Sequence, residues 1–502
     1  MEQVKIGWAK REVSTTEPVS LAGQHHLRIS KGIHDPLYVT ALAIDGGAGQ
    51  DAVILVSCDV ESLRSGIIKK TVGKALAMDP TVPGDAVVMN ATHTHTGGKI
   101  SDAGVKPLPG MNVFPWEEYQ EFYATRAAEA ICEAWANRKP GAVSYGYSYA
   151  VVGHSRRTVY FTDKSVGKVS TSNGHCVMYG NPRDPDFSHY EAGADHFVNV
   201  LVTYGEKGEI TGFVVNVPCP SQVSGSEEEM SADYWNEVRE AIAKEFGKDV
   251  FILPQCAAAG DLAPRILHYR EAQARRMALK YDLGYDPNQA GYGKPGWINK
   301  TMSERYDIAD RILFAVKDVA SWAKKDIRTE VPVDHVLTTV QLKKRMMTEA
   351  EYERCKLALQ NLKLVIPEGA SAADVERITS NYHTVEWKQT SSIARYENQD
   401  PEERVPMRMH VLRIGDVAMT TSRFEYYQDY MHRIQARSPF PQTFVMQLAG
   451  EENGSYLPTE RASANRGYGA AFYENPVGPE GGQQIVEETL RILGELKKKD
   501  EA

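Results

Sequence analysis

Short runs of consecutive apolar residues alternate along the chain with longer stretches in which apolar positions recur every three to four residues. Ala52-Val53-Ile54-Leu55-Val56 and Ala86-Val87-Val88-Met89 are runs of the first kind, as expected of strands covered on both faces. Phe213-Val214-Val215-Asn216-Val217 and Val250-Phe251-Ile252-Leu253 repeat the pattern. Helical spacing predicts helices over Ser65 to Met78, Trp116 to Trp135 and Ser231 to Phe246, and a further one striped by Ile308, Ile312, Leu313, Val316 and Val319. Gly415-Asp416 between two apolar runs predicts a hairpin. A last helix carries Val486, Leu490 and Leu493 and closes on lysines, where the helix dipole favours cations. Strands alternating with helices argue for an α/β core.

Composition narrows the class of protein. With 42% apolar and 25% charged residues among 502, the chain has ordinary globular usage and no disordered or coiled-coil bias. A net charge of −9 and no long Lys/Arg run argue against a nucleic-acid partner. No stretch has the apolar length of a transmembrane segment. The N-terminus lacks a basic-then-apolar leader, which suits a cytoplasmic protein or a mature exported form. Six cysteines without paired spacing do not suggest a disulfide framework. Arg265 to Lys300 departs from the pattern, with seven Lys/Arg against three acids and several tyrosines. It reads either as a solvated excursion or as an inserted lid offering Arg and Tyr groups to an anionic or hydroxyl-rich substrate.

Candidate chemistry gathers where the buried strands end, the usual location of sites in open α/β sheets. The four ends read Ser57-Cys58-Asp59-Val60-Glu61, Thr92-His93-Thr94-His95-Thr96-Gly97-Gly98, Pro218-Cys219-Pro220-Ser221-Gln222 and Gly260-Asp261-Leu262-Ala263-Pro264. In an extended segment His93 and His95 face one side, where they can share a metal or divide metal binding and proton transfer between them. Such pairs also occur as plain surface residues. Asp261 reads as a catalytic acid or a turn and cap residue, and Asp59 with Glu61 as a carboxylate pair or a helix cap. Cys219, between prolines, cannot lie inside a regular central strand.

The segment Asn90 to Gly98 resembles the HTHSG segment of the neutral/alkaline, non-lysosomal ceramidases. Leu21-Ala22-Gly23 followed by Gly32-Ile33-His34-Asp35-Pro36-Leu37-Tyr38, then Ser231-Ala232-Asp233-Tyr234, Gly260 to Pro264, Arg413 to Ala418 with Phe424-Glu425, and Gly454-Ser455-Tyr456-Leu457-Pro458-Thr459, are similar to family motifs in the same order. The resemblance covers about residues 5–496 and implies one catalytic α/β domain over 1–502, with a mixed, largely buried sheet flanked by helices. It implies a zinc-dependent hydrolase of an amide bond. By position, His93, Glu425 and Tyr456 match three of the family's zinc ligands, and His95 a substrate-facing histidine. Arg156 or Arg157 matches an arginine near the scissile carbonyl, and Tyr468 a tyrosine supporting the oxyanion.

Two positions depart from the family. Its second zinc histidine has no counterpart after Val217, where Cys219 offers a thiolate instead. Its active-site serine is Ala263 here. The chain also ends without the family's C-terminal immunoglobulin-like domain. The expectation is therefore a metal-assisted hydrolase for a small-molecule, lipid-like or saccharide substrate, with ceramide itself disfavoured. The rivals are glycosidic cleavage or elimination on an anionic sugar, and a metal-free binding protein.

Overall fold

The computed structural model describes residues 2–107, 110–165, 174–281, 297–452 and 454–500. The expected α/β architecture is present, divided among three four-stranded mixed sheets built to one plan, the first extended by the short edge strand Lys139–Pro140. In each, three strands run antiparallel in sequence, a helix crosses over, and a fourth strand pairs parallel with the third. The first sheet uses Lys5–Glu12, Tyr38–Asp45 and Ala52–Cys58, crosses through helix α1 (Ile67–Met78), and ends on Val87–Ala91. The second uses Ala142–Tyr149, Phe197–Tyr204 and Ile210–Val217, and reaches Phe251–Cys256 through α3 (Tyr234–Phe246). The third uses Val333–Lys343, Arg404–Ile414 and Val417–Ser422, and reaches Gln442–Gln447 through α8 (Gln428–Arg437). Gly415, at φ +61°, makes the tight turn of the predicted hairpin.

Strands covered on both faces, such as Ala52–Cys58 and Val87–Ala91, read as apolar runs, whereas Ala142–Tyr149 and Val333–Lys343 are partly exposed and do not. The inner faces share one core in which Leu55, Val88, Leu201, Leu253, Leu412 and Phe444 meet. The outer faces are covered by helices: α1 with α2 (Trp116–Ala136), α3 with α5 (Trp297–Ala323), and α8 with α10 (Pro479–Lys498). Buried amides tie the sheets together near the ends of the parallel strands. Asn90 Nδ2 donates to Pro254 O at 3.1 Å, Asn216 Nδ2 to Val445 O at 3.2 Å, and Gln447 Nε2 to Cys256 Sγ at 3.3 Å. A hydrogen-bonded amide inside an apolar core fixes relative placement as well as stability.

The other helices are α4 (Arg270–Lys280), α6 (Glu349–Asn361), α7 (Ala372–Glu397) and α9 (Glu460–Asn465). α6 and α7 form a helical excursion between two paired strands of the third sheet, leaving at Lys343 and returning at its partner Arg404. Of the basic 265–300 segment, α4 is clamped to α5 by Arg276 and Lys280 on Asp307, at 2.7 and 2.9 Å. Residues 282–296 of the expected lid lie outside the described residues. Among the described residues no helix is long and apolar enough to cross a membrane.

Candidate active site

The segments leaving the parallel strands of the first and third sheets, with residues 21–27, helix α7 and residues 468–474, line one cavity of about 980 Å³. His93 follows the first sheet's parallel strand. Its backbone is left-handed, at φ +61°, and this turns the imidazole so that Nδ1 meets Glu61 O at 2.6 Å. Its Nε2 faces the Glu425 carboxylate, 3.3 Å from Oε2. Burial works to lower the pKa of His93, but Glu425 and Glu61 outweigh it and the net shift is upward.

Glu425 reads in the sequence as a possible helix start. It lies instead in a two-residue strand, Glu425–Tyr426, paired parallel with Tyr456–Leu457 so that Glu425 and Tyr456 are register partners. Ser455, just before Tyr456, is left-handed too (φ +84°). Non-glycine residues held at positive φ cost about 1–3 kcal/mol each and collect at functional sites. Two of the three converging segments here carry one. Gly260 and Gly469 pack against this pair so closely that a Cβ at Gly260 would overlap the backbone of Glu425.

The structure separates Arg156 from Arg157, as expected of neighbours near a strand that point to opposite sides. Arg156 Nη2 donates to Tyr456 OH at 3.1 Å and Gly260 O at 2.8 Å, and lies 3.8 Å from Glu425 Oε2. Arg157 turns away into a bidentate pair with Glu191, at 2.5 and 3.0 Å, and donates to Tyr468 O at 2.7 Å. It holds the loop that carries Tyr468. That phenol lines the cavity with its ring 5.4 Å from those of both Tyr456 and His25.

His95 stands edge-on to His93, with ring centroids 4.9 Å apart. Its Nε2 is buried without a hydrogen-bond partner among the described residues. Burial, reinforced by His93, Arg28 and Arg156, holds it well below the usual imidazole range, so it is neutral. Gly23 (φ +90°) packs on this ring, where any side chain would collide, which gives Leu21-Ala22-Gly23 a physical reason.

Two candidates lie elsewhere. Cys219 is fully buried in the core and absent from the cavity lining. Its Sγ approaches Pro220 O at 3.5 Å, and burial pushes the thiol well above its ordinary range. The strand ends at Val217 and the backbone folds back, Cys219 N donating to Val217 O at 2.9 Å, which turns the side chain inward. Asp261 is also buried off the cavity and accepts from Gln428 N and Nε2 at 3.2 and 3.1 Å. Asp59, the partner expected for Glu61, is taken by Arg239 at 2.8 Å, whereas Glu61 lines the cavity. Ala263 is buried in a two-residue strand against His154–Ser155 and lines no part of the cavity.

Burial pushes the Asp261 carboxyl up to about 6. A carboxyl raised on folding stabilises the protein below its unfolded pKa and loses that contribution as pH rises through the folded value. Asp261→Asn is therefore expected to gain up to about 3 kcal/mol relative to wild type between pH 4 and pH 7. Urea unfolding across that range measures it, and a difference independent of pH contradicts it.

The sequence did not single out the wall made by α7. Ser380, Thr384, Trp387 and Lys388 line the cavity from this helix, with Glu474 beside Lys388. The amphipathic spacing of α7 was the available signal, but it does not distinguish a cavity wall from a core contact.

A zinc ion, implied by the resemblance, can be tested against this donor set. Among the described residues no three His, Cys, Asp or Glu side chains form a metal-binding group. His93 Nε2, the Glu425 carboxylate and the Tyr456 phenol are nonetheless one nitrogen and two oxygen donors converging from three segments. The Nδ1 contact to a backbone carbonyl is the outer-shell bond that ligating imidazoles make. Three protein donors with an open position suit a catalytic zinc, so the residues fit without Cys219.

No protein-family model matches the sequence, and no curated protein matches it. Solved structures do. Neutral ceramidase from Pseudomonas aeruginosa superposes with a TM-score of 0.66 over 99% of this chain and 75% of that chain, at 16% identity. A ceramidase complexed with C2 gives 0.64 over 99% and 76%, also at 16% identity. The chain thus has the mixed α/β fold of the neutral ceramidases.

Proposed function

We propose that the protein is a hydrolase of an acyl bond, of the amide type, with its reaction centre at His93, Glu425, Tyr456 and Arg156. The observation that carries this reading is the convergence of His93, Glu425 and Tyr456 at one end of a cavity large enough for a small organic substrate, with Arg156 bonded to Tyr456 OH behind them. His93, Glu425 and Tyr456 would hold a divalent cation, zinc by its donors. Bound there, it would lower the pKa of a water towards roughly 7 and polarise the acyl carbonyl. The chain's own residues supply the remainder. Arg156, pinned by Gly260 O and Tyr456, places a fixed positive charge beside the oxygen on which charge develops. Tyr468 OH donates to the same oxygen. Neutral His95, with an unused Nε2, accepts a proton and returns it to the leaving amine. Glu61 O, 2.6 Å from Nδ1, would hold the His93 ring so that Nε2 is presented to the cation.

Zinc content by mass spectrometry, together with amine release from a panel of N-acyl amides, tests the proposal. About one zinc per chain is expected in the wild type, and less than about a tenth of that in His93→Ala, whose amine release falls about 10³-fold. Equal zinc in both proteins, with turnover that survives chelation, rules out the metal-assisted mechanism.

A further inference from the structure

The cavity carries polar apparatus that acyl hydrolysis leaves unused. Lys388 of α7 pairs with Glu474 at 3.0 Å, and its ammonium lies 4.6 Å from the ring centroid of Tyr473 and 5.4 Å from that of Tyr468. One turn of helix from Thr384, Trp387 leaves 64% of its surface exposed at the cavity. On the wall formed by residues 60–64 and 98–107, Lys99 donates to Val105 O at 2.7 Å and Arg64 to Ser62 Oγ at 2.8 Å. Burial pushes the Lys99 ammonium down to about 8. Charged and hydrogen-bonding groups therefore stand on both sides of His93 and Glu425.

A hydrocarbon chain lying between those walls would strip water from each charged group and return no hydrogen bond, the costliest way to bury one. A hydroxylated ring does the reverse. Its hydroxyls donate and accept in place of the displaced water, and its C–H face covers an aromatic ring. We propose that the cavity takes an oligosaccharide containing an N-acylated amino sugar, with the ring face on Trp387 and the hydroxyls read by the Lys388–Glu474 pair. The acyl group as the point of attack rests on the hydrolase reading above. The sugar subsite rests on the wall made by α7 with Tyr473 and Glu474, apart from the reaction centre.

Isothermal titration of the full-length protein with tetra-N-acetylchitotetraose, a hyaluronan tetrasaccharide and a short-chain N-acyl sphingosine tests it. His93→Ala, which separates binding from turnover, is titrated in parallel. At least one saccharide is expected to bind both proteins and to quench tryptophan fluorescence. Trp387→Ala should weaken that binding at least tenfold and remove most of the quenching. Lys388→Met, with Glu474→Gln as a second variant, should also weaken it. Failure of both saccharides to bind the wild type, or equal binding by Trp387→Ala, overturns the proposal, as does binding of the N-acyl sphingosine alone. Saccharide binding without amine release from any amide supports the subsite while removing the hydrolase reading. Amine release from simple N-acyl amides without saccharide binding overturns the subsite and leaves the hydrolase reading standing.

Discussion

Arg305→Leu is expected to destabilise the protein by about 3–5 kcal/mol, the usual cost of removing one partner from a buried ion network. Arg305 is 1% exposed on α5. It donates to both oxygens of Glu237 at 2.8 and 2.7 Å, to Asp35 at 2.7 Å and to Ser231 Oγ at 3.1 Å. Leucine fills much of the volume but leaves Asp35, Asp233 and Glu237 buried without their cation. Burial already raises the Asp233 and Glu237 carboxyls against the opposing pull of Arg305. Without the guanidinium they rise further, so the variant should lose more stability at pH 8 than at pH 5. With an unfolding entropy of about 1 kcal/mol/K for a chain of this size, the midpoint should fall by about 3–5 °C at neutral pH. Calorimetry at two pH values measures both effects. A loss below about 1 kcal/mol that does not depend on pH would show that the carboxylates find other partners.

The consequence reaches the cavity. Ser231 O accepts from Thr94 and Thr96 Oγ1 at 2.7 and 3.0 Å, so the network that holds Ser231 also holds the segment carrying His93 and His95. A displaced Ser231 should loosen those imidazoles before the fold is lost, and activity should fall at temperatures below the unfolding transition.

Much of this arrangement was legible in the sequence, for identifiable reasons. Ala52–Cys58, Val87–Ala91, residues 213–217 of Ile210–Val217, and Phe251–Cys256 are buried along almost their whole length, and their predominantly apolar runs announce it. Val333–Lys343 is half exposed along its length and produces no such run. The threefold plan of the sheets could not be read, because it lies in strand order and crossover rather than in residue identity. Motif order points to His93, His95, Glu425 and Tyr456, which the structure brings to one cavity. That Glu425 is a register partner of Tyr456 is tertiary, since 30 residues and a strand separate them. Its thiolate chemistry and its position after Val217 make Cys219 a candidate ligand in the sequence, but the backbone turn there sends its thiol into the core. Side-chain direction after a strand ends is set by such turns, and spacing does not encode them. The same limit left Arg156 and Arg157 undivided.

Arg156→Lys is expected to lower kcat about 10²–10³-fold in amine release, with KM changing by less than about threefold. The charge is kept, so a simple electrostatic requirement would be met by lysine. The guanidinium does more than carry charge. One nitrogen serves Gly260 O and Tyr456 OH together at 2.8 and 3.1 Å, and the group lies 5.4 Å from the centre of the Tyr456 ring. A single ammonium on a flexible stem cannot hold that planar geometry. Loss of transition-state stabilisation alone lowers kcat and spares KM, whereas a displaced Tyr456 would also weaken metal retention. Zinc content separates these cases: it should stay near the wild-type value in Arg156→Lys. In Arg156→Ala, added guanidinium ion should restore part of the rate, because the hole left between Gly260 and Tyr456 fits that ion. Arg157→Lys should behave in the opposite way. Its Glu191 pair and its bond to Tyr468 O lie outside the reaction centre, so it should reduce thermal stability while kcat changes less than about tenfold. If Arg156→Lys retains kcat within about threefold of wild type, the developing oxyanion is stabilised elsewhere, and Tyr468 becomes the next residue to substitute.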